Sequence, residues 1–281
     1  MTGSSLYRKV AEDIKAAIAA GTYPANTKLP SESELAERYS VSRGTIRQAF
    51  AALRADGVIA SRRGARRVVQ YLVVDAGVTQ FIDLGSGLPT QGNVSEVAHA
   101  IDPTVHVVHV DNDPIVYTHS KALLTDSWTT DIVAGDVRNP AGILADPGVR
   151  KLIDFEKPIG LLLFAILHHV MDDDEPGRIA AQLRDAMPDG SYLALSTLRL
   201  PGPELPELRA VTIEGEKLLV GTLGSGRWRE DEEILTWFGD WELLEPGLVS
   251  ILDWRPAPGT FIERDENYHS FFGGVARKPA R

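Results

Sequence analysis

Four short stretches of this 281-residue sequence hold side chains whose types and spacing could do chemistry. In "DLGSGLPT", Gly85 and Gly87 follow an apolar run, and a glycine turn lets backbone amides approach a negatively charged or carboxylate-bearing ligand. In "VHVVHVDND", Asp111 closes a second run, where an acid can accept hydrogen bonds from both hydroxyls of a ribose. In "GDV", Asp136 follows a third run and could meet the edge of an adenine. In "LHHVMDDDE", His168 has an ordinary pKa near neutrality, which suits a general base. The same stretch offers metal-ligand types, but adjacent acids cannot all converge on one ion. Acids are favoured at a helix start, so the run reads as a solvated helix start and no metal is expected.

These residues need elements to position them. From residue 80 the text alternates strand and helix. "QFIDLG", "VHVVHVD", "TDIVAG", "PIGLLLFAIL" and "SYLALSTL" read as strands, the fourth apolar enough to be buried on both faces of a parallel sheet. "GNVSEVAHAI", "PIVYTHSKALL" and "GRIAAQLRDAM" read as helices, and "DWELLEPG" with "YHSFFGGVARK" as a closing antiparallel pair. This is a doubly wound α/β plan, which binds ligands at the carboxyl ends of its strands. Glycines, Asp111 and Asp136 then fall in register at three such ends, a nucleoside site. A dinucleotide would need a third glycine beyond Gly87, where Leu88, Pro89 and Thr90 stand instead. S-adenosylmethionine has no pyrophosphate and does not need it.

The first 70 residues carry 12 Lys and Arg against 6 Asp and Glu, a net of +6 within a chain of net −10. A basic module on an acidic body suits contact with a polyanion. The apolar period predicts a helix over Leu6 to Ala20, "SESELAERY" a second with Ser31 and Glu34 as a capping box, and "SRGTIRQAFAALRAD" a third. "GVIASRRGARRVV" reads as two strands around an arginine turn, with strand to Val69 and helix from Gln70. That is a winged helix-turn-helix plan. Ser42, Arg43, Gly44, Thr45 and Arg47 would face the major groove, and a wing tip of Arg62, Arg63, Gly64 and Arg66 the minor groove. The absence of cysteine fits a reducing cytoplasm, and no apolar run is long enough to span a bilayer.

Two resemblances overlap on this chain. "GTYPANTKLPSESELAERYSVSRGTIRQAFAALRADGVI" resembles the DNA-binding domain of GntR-family transcriptional regulators, which implies DNA contacts at Ser33, Ser42, Arg43, Thr45, Arg47, Arg63 and Gly64. Arg66 stands where that family's wing commonly has a second glycine. "QFIDLGSGLPTQGNVSEVA", "VVHVDNDPIV", "ILADPGVRKLIDFEKPIGLLLFAILHHV" and "WELLEPGLVSILDWRP" resemble a class I S-adenosylmethionine-dependent methyltransferase-like family. That likeness implies a cofactor site of Asp83, Gly85, Gly87, Asp111, Asn112, Asp136 and Val137, with His168 where the fourth strand opens onto substrate. It also implies a helical segment ahead of the first strand, whose place the basic module occupies here. "PGPELPELRAVTIEGEKLLVGTLGSGRW" reads as Gly/Pro-rich and weakly helical.

The resulting expectation is an N-terminal winged helix-turn-helix (residues 1–69) followed by a doubly wound Rossmann-like methyltransferase sheet (residues 70–281). The leading functional expectation is a cytoplasmic, homodimeric regulator of GntR type on operator DNA, with S-adenosylmethionine or a related nucleoside as effector. The alternatives are an active methyltransferase with a DNA-binding locator, and a body that only dimerises.

Overall fold

The computed structural model describes residues 3–19, 22, 30, 32–55, 65–87, 92–123, 127–260, 262, 264 and 266–280. It opens with three helices, α1 (Gly3–Ala19), α2 (Glu32–Tyr39) and α3 (Arg43–Ala55). Val10, Ile14, Leu35, Ile46, Ala49, Phe50 and Leu53 form their shared core, recurring at helical spacing along α1 and α3. Ser42 starts α3 by accepting from the Thr45 amide at 3.1 Å, with its hydroxyl 2.9 Å from that of Thr45. The expected wing tip at Arg62, Arg63 and Gly64 lies outside the described residues.

A fourth helix, α4 (Ala65–Val74), corrects the strand expected up to Val69. Valine-rich text suits either conformation, and burial decides. As a helix the segment turns Val68, Val69 and Leu72 together into one core with Phe81 and Val97. A strand would send Val68 and Val69 to opposite faces. The Arg67 guanidinium fixes the helix by donating to the carbonyls of Ile251 (2.6 Å), Leu252 (3.1 Å) and Trp254 (3.0 Å). A helix therefore does precede the first strand.

The rest is a layered α/β body. Its elements are β1 (Gln80–Leu84), α5 (Val94–His99), β2 (His106–Asp111), α6 (Pro114–Leu123), β3 (Thr130–Ala134), α7 (Pro140–Ala145), α8 (Pro147–Leu152), β4 (Gly160–Phe164), α9 (Pro176–Asp185), β5 (Tyr192–Leu198), α10 (Pro206–Leu223), α11 (Asp231–Thr236), β6 (Glu242–Leu243), β7 (Val249–Ser250), α12 (Glu266–Ser270) and β8 (Phe271–Arg277). The sheet order is β3-β2-β1-β4-β5-β8-β6, with β7 also on β8. β1 to β5 are parallel, and β8 runs antiparallel to β5, β6 and β7. The order reverses between β1 and β4, the point at which such sheets open a crevice for ligands.

Alternation along each strand feeds two cores. Ile82, Val108, Leu161, Leu163 and Leu193 pack under α7, α8, α9 and α11 through Ile143, Val149, Ile179 and Ile234. Phe81, Val107, Leu162 and Ala194 pack under α4 and α5. At the β1–β4 contact a side chain at Gly160 would overlap the Phe81 ring, its Cβ falling 2.4 Å from Cδ1.

The segment expected to be weakly helical contains the 18-residue α10. Pro206 stands in its first turn, and Gly224, at φ +73°, closes it. These residues bound a helix rather than break it. Among the described residues no helix is long and apolar enough to cross a membrane.

Candidate functional site

A cavity of about 200 Å³ opens at the carboxyl ends of β1, β2, β3 and β4. Gly85, Asp111, Asn112, Gly135, Val137, Ala165, Ile166 and His169 line it, with Leu84 and Val110. Four expected cofactor residues therefore meet around one space: Gly85, Asp111, Asn112 and Val137. The other three, Asp83, Gly87 and Asp136, do not line it.

The glycine turn is held tightly. Gly85 has φ +70°, and its amide donates to the Val110 carbonyl at 2.8 Å. A Cβ on Gly85 would lie 2.7 Å from Cδ1 of Ile166. Gly87 has φ +66°, a Cβ there would meet none of the described residues, and its amide donates to Asp111 Oδ2 at 2.8 Å. The other Asp111 oxygen accepts from the Asp113 amide at 3.0 Å. Asp111 is thereby fixed by two backbone donors while half-exposed at the cavity.

Asp83 is buried beneath the turn rather than in the cavity. It pairs with His109 Nδ1 at 2.9 Å, His109 Nε2 lies 3.1 Å from Ser95 Oγ, and Ser95 donates to Asn93 Oδ1 at 2.9 Å. Asn93 caps α5 by accepting from the Glu96 amide. This chain ties both ends of the glycine loop to one buried network. The sequence held its signal in the shared face of β1 and β2, since Asp83 and His109 stand opposite each other in the parallel register. His109 was not among the expected residues.

Asp136 grips Arg138, which donates from Nε at 3.0 Å and from Nη2 at 2.5 Å, and Asn112 Nδ2 stands 3.5 Å away. Chiefly through that arginine's hydrogen bonds, the carboxyl falls to a pKa of about 2 and the guanidinium rises. Asp136 thus stays ionised beside Asn112.

Beyond β4, Ala165 adopts φ +56°, an uncommon conformation for a residue with a side chain and one that clusters at functional sites. The Ala165 amide donates to the Ser196 carbonyl at 2.9 Å, which holds the turn against β5. A tight turn at Leu167–His169 follows. His168 is buried, edge-on to Phe271 with ring centroids 6.1 Å apart, and does not line the cavity. Its Nδ1 has no hydrogen-bond partner among the described residues. Burial, with His169 beside it, pushes its pKa down to about 3. His169 does line the cavity, exposed to solvent, with Nδ1 3.0 Å from Ser225 Oγ in the loop after α10. Partial desolvation lowers its pKa too. Among the described residues no cluster could hold a metal ion.

Of the residues expected at DNA, Ser42, Arg43 and Gly44 are exposed at the start of α3, with Thr45 half-buried beside them. Ser33 lies in α2 and Arg47 in α3, and their side chains lie outside what is described.

The sequence profile of the S-adenosyl methyltransferase family matches residues 36–279. The chain belongs to that family. S-adenosylmethionine is accordingly its cofactor. Two solved structures are similar over most of this chain. One is a DUF574 family protein from Streptomyces avermitilis, 35% identical, covering 78% of this chain and 82% of its own, with a TM-score of 0.70. The other is a candidate methyltransferase from Thermobifida fusca, 36% identical, covering 83% and 89%, also at 0.70.

A protein named as the probable transcriptional repressor of the fructoselysine utilization operon of Escherichia coli (strain K12) is 38% identical over 96 residues. That match covers 32% of this chain, and the chain spans only 40% of that relative's length. The expectation of a GntR-type regulator that uses the nucleoside as effector is overturned here. The methyltransferase profile begins at residue 36, inside the basic segment, and runs almost to the end, whereas the regulator likeness stays partial. The helical segment thought missing ahead of β1 likewise falls within the profile, which includes α3 and α4.

Proposed function

We propose that this protein is an active methyltransferase, moving the methyl group of S-adenosylmethionine to an acceptor at the carboxyl ends of β1 and β4. The observation that carries this is the fixed Asp111 carboxylate at a cavity shared with Gly85, Asn112 and Val137, in a chain that belongs to a methyltransferase family. Asp111 accepts the ribose hydroxyls. Gly85 and Gly87 give the methionine end close access to the backbone. Asn112, Asp136 and Val137 form the adenine side, and Asp83 holds the turn from below. The cofactor supplies an electrophilic methyl on a sulfonium; the chain supplies position, charge and exclusion of water. His168, neutral and buried, packs edge-on against Phe271.

Calorimetric titration of the full chain with S-adenosylmethionine and S-adenosylhomocysteine tests this. Both should bind, and Asp111→Asn should weaken both by ten-fold or more, since a hydrogen bond to a charged group is worth about 1.5–3 kcal/mol. Failure of both nucleosides to bind the unaltered chain would refute the reading.

For the N-terminal segment we propose a DNA-binding locator that brings methyl transfer to a nucleic acid, working as a homodimer. The support is the basic balance of residues 1–70, the separate core of α1–α3, and the partial likeness to a repressor. Ser33, Ser42, Arg43, Gly44, Thr45 and Arg47 would act from the helices, and Arg62, Arg63 and Gly64 from the segment of sequence between α3 and α4. Two half-sites roughly 34–36 Å apart are expected. Selection from random duplexes, repeated with Arg47→Ala, tests it. Equal sequence preference in both proteins would refute the assignment.

A further inference from the structure

Two histidines stand together after β4, with ring centroids 4.4 Å apart, yet only His169 lines the cofactor cavity. Its surroundings are specific. The turn that carries it begins at Ile166, whose carbonyl accepts from the His169 amide at 2.9 Å. Ile166 is also the side chain that crowds Gly85, so His169 sits one turn from the glycine end of the cavity. From the opposite side Ser225 meets its Nδ1. Ser225 lies between Gly224 and Gly226, both at positive φ, in a loop pinned by the Arg227 amide to the His168 carbonyl (2.8 Å) and by the Trp228 amide to Glu216 (2.7 Å). One nitrogen of the imidazole is thereby engaged and oriented. The other, Nε2, belongs to a residue that lines the cavity.

From this geometry we infer that His169 is a catalytic residue that takes the proton of the methyl acceptor, which is therefore a neutral hydroxyl or amine. The inference rests on the methyltransferase reading and names the acceptor class of the same site. The step balances. A lone pair on the acceptor oxygen or nitrogen forms the new bond to the methyl carbon. The carbon–sulfur bond breaks, its electron pair stays on sulfur, and S-adenosylhomocysteine leaves as a neutral thioether. The acceptor's proton passes to His169 Nε2 and from there to water. A thiolate or carboxylate acceptor would have no proton to give up and no use for the imidazole.

Electrostatics makes the order of events favourable. Before transfer the sulfonium charge disfavours protonation of a nearby imidazole; transfer removes that charge and raises the ring's basicity as the proton arrives. His168 is a poorer candidate for the role, being held off the cavity behind His169. The other charged groups near His169 are Asp111 on the cavity wall, Asp172 three residues on, and Arg227 beside Ser225, which pairs with Asp172 at 3.0 Å.

The test needs no acceptor. Full-length protein carrying 13C-labelled histidine is titrated by NMR with saturating S-adenosylmethionine or S-adenosylhomocysteine, the His169 resonance being assigned by its loss in His169→Gln. The two ligands differ by one positive charge at the reacting sulfur. At roughly 6–8 Å and an effective dielectric near 20, that charge should lower the His169 midpoint by about one pH unit or more in the S-adenosylmethionine complex. His169→Gln should still bind S-adenosylhomocysteine within about three-fold, which shows the site intact. If both ligands bind and the midpoints coincide, His169 is not at the reacting sulfur and the inference is overturned. If neither ligand perturbs any resonance, the methyltransferase reading itself has failed, and this inference with it.

Discussion

Gly85 offers the sharpest test of how the cofactor turn is built, because two separable costs attach to one added methyl. Gly85→Ala must hold alanine at φ +70°, in the left-handed region. That alone costs about 1–2 kcal/mol. The new Cβ would also stand 2.7, 2.8 and 3.0 Å from Cδ1, Cγ1 and Cβ of Ile166. Ile166 is itself fixed between a strand end and a tight turn, so relief requires backbone movement, and overpacking of this kind costs about 1–3 kcal/mol. The sum is a loss of about 2–5 kcal/mol. Gly87→Ala supplies the control, since Gly87 has nearly the same φ, +66°, but nothing among the described residues within reach of a Cβ. It should lose only the conformational part. Urea unfolding followed by tryptophan fluorescence is a suitable assay, because all five tryptophans lie between Trp128 and Trp254 and report on the α/β body. Adding Ile166→Ala to Gly85→Ala should recover part of the packing cost relative to Ile166→Ala alone. Equal losses for the two glycine variants, within about 0.5 kcal/mol, would refute the claim that Ile166 closes over the turn.

Three further outcomes are expected. His168 is neutral in the folded chain down to a pKa of about 3, whereas an unfolded histidine protonates near 6.5, so its contribution to stability is complete above about pH 6.5 and lost progressively toward pH 3; His168→Gln should flatten that part of the pH dependence of the urea midpoint. His109→Phe leaves the buried Asp83 carboxylate without its imidazole partner and should cost about 3–5 kcal/mol in the same assay, while a loss below 1 kcal/mol would mean that the pair does not hold the turn. Val69→Asp should destabilise by several kcal/mol while Gln70→Asp stays near neutral, since Val69 is 1% exposed and Gln70 faces out; near-equal effects would contradict the helix at Ala65–Val74.

The body was legible where one signal dominated. Leu161, Leu162 and Leu163 form a run too apolar for anything but a buried strand, and Pro114 marked the start of α6. The positions of Gly85 and Asp111 at one cavity followed from strand order, which repeating strand–helix text restricts strongly, whereas Val137 came with the methyltransferase likeness. Other features depended on partners distant in sequence. Nothing local to Arg66–Val69 distinguishes strand from helix; the choice falls to Arg67 meeting carbonyls more than 180 residues away. Asp83 was expected at the cofactor from the methyltransferase likeness, but His109 claims it from the next strand. His168 and His169 read alike as text, and a tight turn with a positive-φ alanine before it decides which one faces the cavity. The wider functional expectation erred for a different reason. A compact, specific motif at the start of the chain outweighed a diffuse one that extends over most of it.

The sheet's margins have a consequence for behaviour at high concentration. Placing β8 between β5 and β6 leaves the long parallel strand β5 with no open side, and the strands beyond it, β6 and β7, are only two residues each. Too short to template another chain, they blunt that margin against edge-to-edge association. The opposite margin, β3, carries Asp131, whose carboxylate holds Lys121 of α6, so an incoming strand would meet charge there as well. Ladder-type aggregation through the native sheet is thereby disfavoured at both ends, and crowding should leave the folded protein dispersed while penalising chains in which β8 has not yet docked.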